Sequence, residues 1–104
     1  MPKFEFKEES LKLEIAGGIY YVKPTAEMLS EYGEYSKKAE KMHFQAEQGK
    51  VDTMAFIELC KNAIDTVLGG GTFDTIFTDR VITLKDCANL TAFIFSEISE
   101  YFKS

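Results

Sequence analysis

The chain has no tryptophan, one histidine, two cysteines, two prolines and a single arginine in 104 residues. Each scarcity closes something off. Arg80 is alone among twelve basic residues and the formal net charge is −5, so the clustered Lys and Arg of a phosphate-tracking surface are missing. Nucleic acid is therefore not an expected partner. Zinc asks for about three or four ligands, and His43, Cys60 and Cys87 form no local cluster that would supply them. No metal, no cofactor and no catalytic residue is expected. The two cysteines are not a CxxC pair and read as free core residues on two helices in a reducing compartment. There is no stretch of about 18 apolar residues to span a bilayer, and Met1-Pro2-Lys3-Phe4-Glu5 opens no signal-peptide run. These absences predict a cytoplasmic protein with no membrane partner.

What is present is enough for one small core. Hydrophobic residues make up 45% of the chain and charged ones 28%, the balance of a globular protein and not of a disordered one. Single domains commonly run to roughly 100–150 residues, so residues 1–104 are read as one domain. Nine Phe and five Tyr carry much of its burial.

Alternation in Phe4-Glu5-Phe6 and in Leu11-Lys12-Leu13-Glu14-Ile15 predicts half-buried strands. Their parities differ, so a turn or bulge is expected through Lys7-Glu8-Glu9-Ser10. Taking Gly17-Gly18 as a two-residue hairpin loop sets Ile15 opposite Tyr20 and Leu13 opposite Val22, all on one face. Lys12, Glu14, Tyr21 and Lys23 take the other. Residues 1–24 thus form a β-hairpin region and residues 25–103 a helical one.

Thr25 is placed to cap a long helix whose apolar seam, Met28, Tyr32, Tyr35, Ala39, Met42 and Ala46, is narrow; Gly49 ends it. The interleaved charges of Glu34 to Lys41 read as its solvated face. Asp52 caps a second helix, with Val51 stapled onto Phe56. That helix breaks at Gly69-Gly70-Gly71, and Thr72 is the expected cap of a short helix holding Phe73, Ile76 and Phe77. Asp79-Arg80 reads as an ion pair or cap in the connector. Thr83-Leu84-Lys85-Asp86 has the form of a capping box, and the last helix runs to about Phe102 with Leu90 and Phe93 off its main stripe. The predicted class is α+β: an N-terminal antiparallel hairpin or small sheet, then about four helices, mainly helical.

The triple glycine is not a phosphate loop. No Gly-Lys-Ser or Gly-Lys-Thr follows, and a helix precedes it where a strand is required. Gly69, Gly70, Gly71, Phe73 and Phe77 are read as a structural turn. An enzyme acting through Cys60 or Cys87 with His43 has no local motif in support.

Leu68-Gly69-Gly70-Gly71-Thr72-Phe73-Asp74-Thr75-Ile76-Phe77, with Asp65 before it and the apolar helix Leu90 to Tyr101 after it, resembles a segment of small proteins from the tail modules of phages and prophages of Gram-positive bacteria. The hairpin leading through Val22-Lys23-Pro24-Thr25 into a long polar helix is similar too. The family is that of tail assembly chaperone-like proteins of siphophages, and the resemblance covers most of the chain. It implies a non-enzymatic factor in the bacterial host cell that binds the tape measure protein or tail-tube protein during tail morphogenesis, and often self-associates as a homo-oligomer. Met28, Tyr32, Tyr35, Met42, Phe93 and Phe102 are the candidate partner-binding residues. A structural tail or connector subunit forming a ring, or another prophage protein-interaction domain, is the alternative.

Overall fold

In a computed structural model that describes residues 1–5, 10–50 and 52–103, a two-stranded antiparallel hairpin is followed by four helices, the α+β, mainly helical arrangement expected. The elements are β1 (Leu11–Ile15), β2 (Gly18–Val22), α1 (Ala26–Glu47), α2 (Thr53–Leu68), α3 (Thr72–Ile76) and α4 (Leu84–Lys103). The expected roles of Phe6, of Lys7-Glu8-Glu9 and of the Val51 staple lie outside the described residues. Phe4 and Glu5 belong to no strand, and Phe4 is 78% exposed. The expected first strand is corrected there, because an alternation of three residues is too short to bury a face.

The hairpin buries the expected face in a different register. Ile15 pairs with Gly18, Leu13 with Tyr20 and Leu11 with Val22, so the loop is Ala16-Gly17, with φ of 51° and 83°. Both central residues of a type I′ turn have positive φ. Gly18 begins β2, and a Cβ there would stand 3.2 Å from the Tyr20 ring, so the position suits glycine. The slip is two residues, so Leu13, Ile15 and Val22 still enter the core.

Local caps decide most helix ends. Gly49 takes φ 79° and donates to Ala46 O, while Lys50 donates to Gln45 O, the paired bonds that close a Schellman motif after α1. Asp52 Oδ1 accepts from Ala55 N–H at 3.0 Å to start α2, and Thr83 Oγ1 accepts from Asp86 N–H at 3.1 Å to start α4. Thr25 departs from expectation. Its side chain makes no cap bond, and Met28 N–H is taken by the Thr25 carbonyl instead.

The glycine turn is held from a distance. Thr72 is not the cap of α3 but its first residue, its hydroxyl donating back to Leu68 O at 3.3 Å. The capping acceptor is Asp65, one turn from the end of α2, whose Oδ1 receives Phe73 N–H at 2.8 Å. Lys61 and Asp74, 3.5 Å apart, join the same two helices on the exposed side. Gly69 at φ 114°, ψ 148° occupies a region that residues with a Cβ avoid, and Gly71 is left-handed at φ 85°. Between them the chain reverses, and Phe73 and Ile76 enter the core with Phe77 behind them, the two rings 4.6 Å apart. Asp79 is itself left-handed at φ 61° and forms no ion pair with Arg80 among the described residues, which corrects the expected pairing.

The core lies where the hairpin, α2 and α4 meet: Leu13, Ile15 and Val22 from the strands, Cys60 and Ile64 from α2, and Cys87, Ile94, Phe95 and Ile98 from α4. α1 covers one side of it and contributes no buried residue over 22 positions. No described helix is long and apolar enough to cross a membrane.

Two stability outcomes follow. Asp65→Ala leaves the Phe73 N–H without its acceptor and costs about 1 kcal/mol, or about 4–8 °C in Tm, read by thermal melting. Gly69→Ala costs about 1–3 kcal/mol, whereas Gly70→Ala, at ordinary φ with open space around it, stays within about 0.5 kcal/mol. Equal losses at Gly69 and Gly70 would remove the conformational argument.

Candidate functional site

The seam of α1 serves two purposes along its length. Its first half packs on the molecule's own core: Met28 and Tyr35 are half-buried against it, and Tyr32 and Tyr35 stack on Phe95 at ring separations of 5.0 and 5.8 Å. Its second half does not close down. Ala39, Met42, His43 and Ala46, spaced three and four apart on one face, line a cavity of about 370 Å³ together with Lys50, Asp52, Ala55 and Phe56 at the start of α2 and Leu84, Lys85 and Ala88 at the start of α4. Such a volume lies at the small end of ordinary ligand clefts.

The contacts of Tyr35 with Cys60, of Tyr32 with Phe95, and of Ala46 beside Ala55 and Ala88 set the helix directions. α1 runs antiparallel to α2 and α4, which run parallel to each other. The groove therefore sits at one end of the bundle, where α1 finishes and the other two begin. Small residues keep it open: alanines at 39, 46, 55 and 88 stand where larger side chains would fill the gap. Val81 and Ile82, 82% and 40% exposed, lead into Leu84, whereas the exposed Phe44 and Met54 lie on the faces of α1 and α2 turned away from the lining residues.

Of the six residues expected to bind a partner, Met42 alone lines this groove. Met28, Tyr32 and Tyr35 are occupied within the monomer. Phe93 and Phe102 are 40% and 43% exposed, but they stand nine positions apart on α4, two and a half turns, and so face opposite sides of the helix. Phe102 meets Tyr101 edge-on at 5.4 Å. No single patch unites the six.

No family model, curated protein or solved structure matches the chain.

The residues an enzymatic reading would need are kept apart by burial. Cys60 and Cys87 are wholly buried and unpaired, whereas His43 stands in solvent with its Nε2 3.2 Å from Glu47. Around the thiols lies a small polar cluster inside the core: Tyr35 Oη is 3.8 Å from Cys60 Sγ, and Thr91, also fully buried, donates its hydroxyl to Cys87 O at 2.7 Å. Burial pushes the Cys60 and Cys87 thiols and the Tyr35 phenol upward, with Cys87 reaching about 11. Neutral thiols are poor nucleophiles, and these behave as small apolar fillers. Among the described residues no group of three or more His, Cys, Asp or Glu is arranged to hold a metal ion.

Sequence reasoning missed the groove's other two walls. Leu84 and Ala88 fall on the apolar stripe of α4 and read as core, while Lys50, Ala55 and Lys85 lie at helix ends with no periodic signal. The one available signal was the continuation of the α1 seam to Ala46, beyond the last aromatic that needed covering.

The raised Cys87 pKa has a consequence at high pH. Between the unfolded thiol value of 9.0 and the folded value of about 11, the folded state keeps a proton that the unfolded chain has lost. Stability contributed by the neutral buried thiol is thus intact below about pH 9 and lost as pH rises toward 11. Melting temperatures across that window should fall less steeply in Cys87→Ala than in the unaltered protein. Both thiols should resist a thiol reagent until the protein unfolds; fast modification of the folded state would contradict the burial described.

Proposed function

We propose that the protein is a non-enzymatic assembly factor of the tail assembly chaperone type, acting in the cytoplasm of a bacterial host by holding the tape measure protein or a tail-tube component while a phage tail forms. The observation that carries this reading is the open apolar groove where α1 ends and α2 and α4 begin. A helix-rich partner with exposed apolar stripes can be held by helix-in-groove contacts, and an acidic holder remains soluble while doing so. The resemblance of Leu68 to Phe77 to proteins of that family supports the same role. α1 suits it as well, since a 22-residue helix with no buried residue can adjust against a partner without dismantling the core.

A second reading, a structural subunit of a tail or connector ring, draws on the hairpin. Its two strands pair only with each other among the described residues, and Ile19 and Tyr21 on its outer face are 52% and 67% exposed. An open strand edge can take a neighbour's strand.

Co-expression separates these roles. As a chaperone, the protein co-purifies with the tape measure protein and keeps it soluble, and Ala88→Phe, which fills the groove, reduces the soluble complex several-fold without unfolding the chaperone. A tape measure protein that stays insoluble and unbound overturns the proposal. Mass spectrometry of purified virions finds the protein if it is a structural subunit and does not if it is a chaperone.

A further inference from the structure

The two edges of the hairpin differ in what they offer. Ile15 and Gly18 flank the two-residue loop and form a hydrogen-bonded pair; such pairs alternate along an antiparallel ladder, so Leu13–Tyr20 and Leu11–Val22 are the next two. The residues between them turn their N–H and C=O groups outward: Lys12 and Glu14 on β1, Ile19 and Tyr21 on β2. No described strand takes up either set. The side chains of the same four residues stand on the outer face of the sheet, away from the core that holds Leu13, Ile15 and Val22. β1 thus meets water with an ammonium and a carboxylate, a common guard of an open edge. β2 has no such guard. From Gly18 to Val22 it carries no charge and no proline, and Ile19 and Tyr21 are 52% and 67% exposed.

We infer that the β2 edge pairs with β2 of a second copy of this chain, antiparallel about a two-fold axis, joining two hairpins into one four-stranded sheet. The strand is self-complementary in one register. With Tyr20 on the axis, Ile19 stands opposite Tyr21 of the partner subunit and Tyr21 opposite Ile19 of the partner subunit, so every outward backbone group of both strands finds a partner. Placing Ile19 or Tyr21 on the axis satisfies only half of them, because the other residue then faces Gly17 or Lys23, outside the strand. On the outer face each Ile–Tyr contact is a β-branched and aromatic pair, a kind that stabilises sheets. Glu14 lies beside Ile19 and Lys12 beside Tyr21, so each row across the joined sheet runs carboxylate, isoleucine, tyrosine, ammonium, with no like charges opposed. A foreign strand would satisfy the backbone equally; the reciprocal Ile–Tyr pairs are what a second copy adds. An isolated two-stranded hairpin is marginal, and two further strands strengthen it. The contact is isologous and closes after two copies, with the guarded β1 edges outermost. It goes beyond the chaperone reading and does not depend on it.

The full-length protein is followed by sedimentation equilibrium from about 5 µM to about 500 µM, and an edge contact of this small size should populate dimers chiefly toward the upper end. Amide hydrogen exchange is measured at both ends of the range. The Ile19 and Tyr21 amides should exchange several-fold more slowly at the high concentration, while those of Lys12 and Glu14, on the open β1 edge, stay fast. Ile19→Lys/Tyr21→Lys sets lysine opposite lysine and should weaken dimerisation about tenfold. Ile19→Lys/Tyr21→Glu sets lysine opposite glutamate only in the register described and should keep affinity within about threefold of the unaltered protein. Melting temperatures of the dilute variants check that both fold, and the exchange pattern of the unaltered protein decides the matter without them. A chain that stays monomeric across the range overturns the inference. So does protection at Lys12 and Glu14 in place of Ile19 and Tyr21, or equal weakening in the two folded variants. Protection of Ile19 and Tyr21 that appears only on adding the tape measure protein, the mark of a foreign strand, overturns it as well.

Discussion

The bond from Phe73 N–H to the Asp65 carboxylate, 2.8 Å long, fixes the direction of everything that follows it. A helix of five residues cannot hold itself together, because the nucleus costs more than one turn returns. α3 exists because α2 lends it an acceptor and because Phe73 and Ile76 are buried against the core. With α3 folded back, Phe77 to Thr83 brings the chain to the level at which α2 began. α4 then starts beside the start of α2, and the two run parallel. The groove at their shared end is a consequence of that return.

α1 is the complement of this arrangement. It touches the core through one stripe, and only the first half of the stripe meets aromatic partners. Beyond Ala39 the facing residues, Ala55, Phe56, Leu84 and Ala88, come from the first turns of two other helices and leave a cavity between them. Elements with little burial open at low free energy, and binding surfaces tend to be drawn from them.

The fold class and most helix boundaries could be read from the sequence because their causes are local. Asp52, Thr83 and Gly49 each act within three or four residues of where they stand. The hairpin register could not, since Ala16-Gly17 and Gly17-Gly18 both make two-residue loops and a slip of two leaves the same side chains buried. In the register observed the Tyr20 ring lies over Gly18, a contact no pattern of hydrophobicity encodes. The cap of α3 escaped for the opposite reason: Thr72 has the residue type of a cap, but the acceptor comes from eight residues earlier. Of the site, the Met42 end of the seam was legible. The α1 seam and the last helix were alternative surfaces in the sequence; Tyr32 and Tyr35 stack on Phe95, with Tyr32 still 40% exposed, while Phe93 and Phe102 stand on opposite sides of α4.

The electrostatic character of the groove also follows from topology more than from composition. Two parallel helices bring their positive ends together, which is mildly unfavourable for them and is ordinarily offset by acids in the first turn. α4 has Asp86 there, but α2 has none beyond its cap, Asp52. The C-terminal end of the antiparallel α1 could supply the offset, yet Gly49 and Lys50 already occupy its Ala46 and Gln45 carbonyls. Lys50 and Lys85 stand among Asp52, Asp86 and Glu47 there, so this end of the bundle sets mixed charge around an apolar floor, and no one sign prevails.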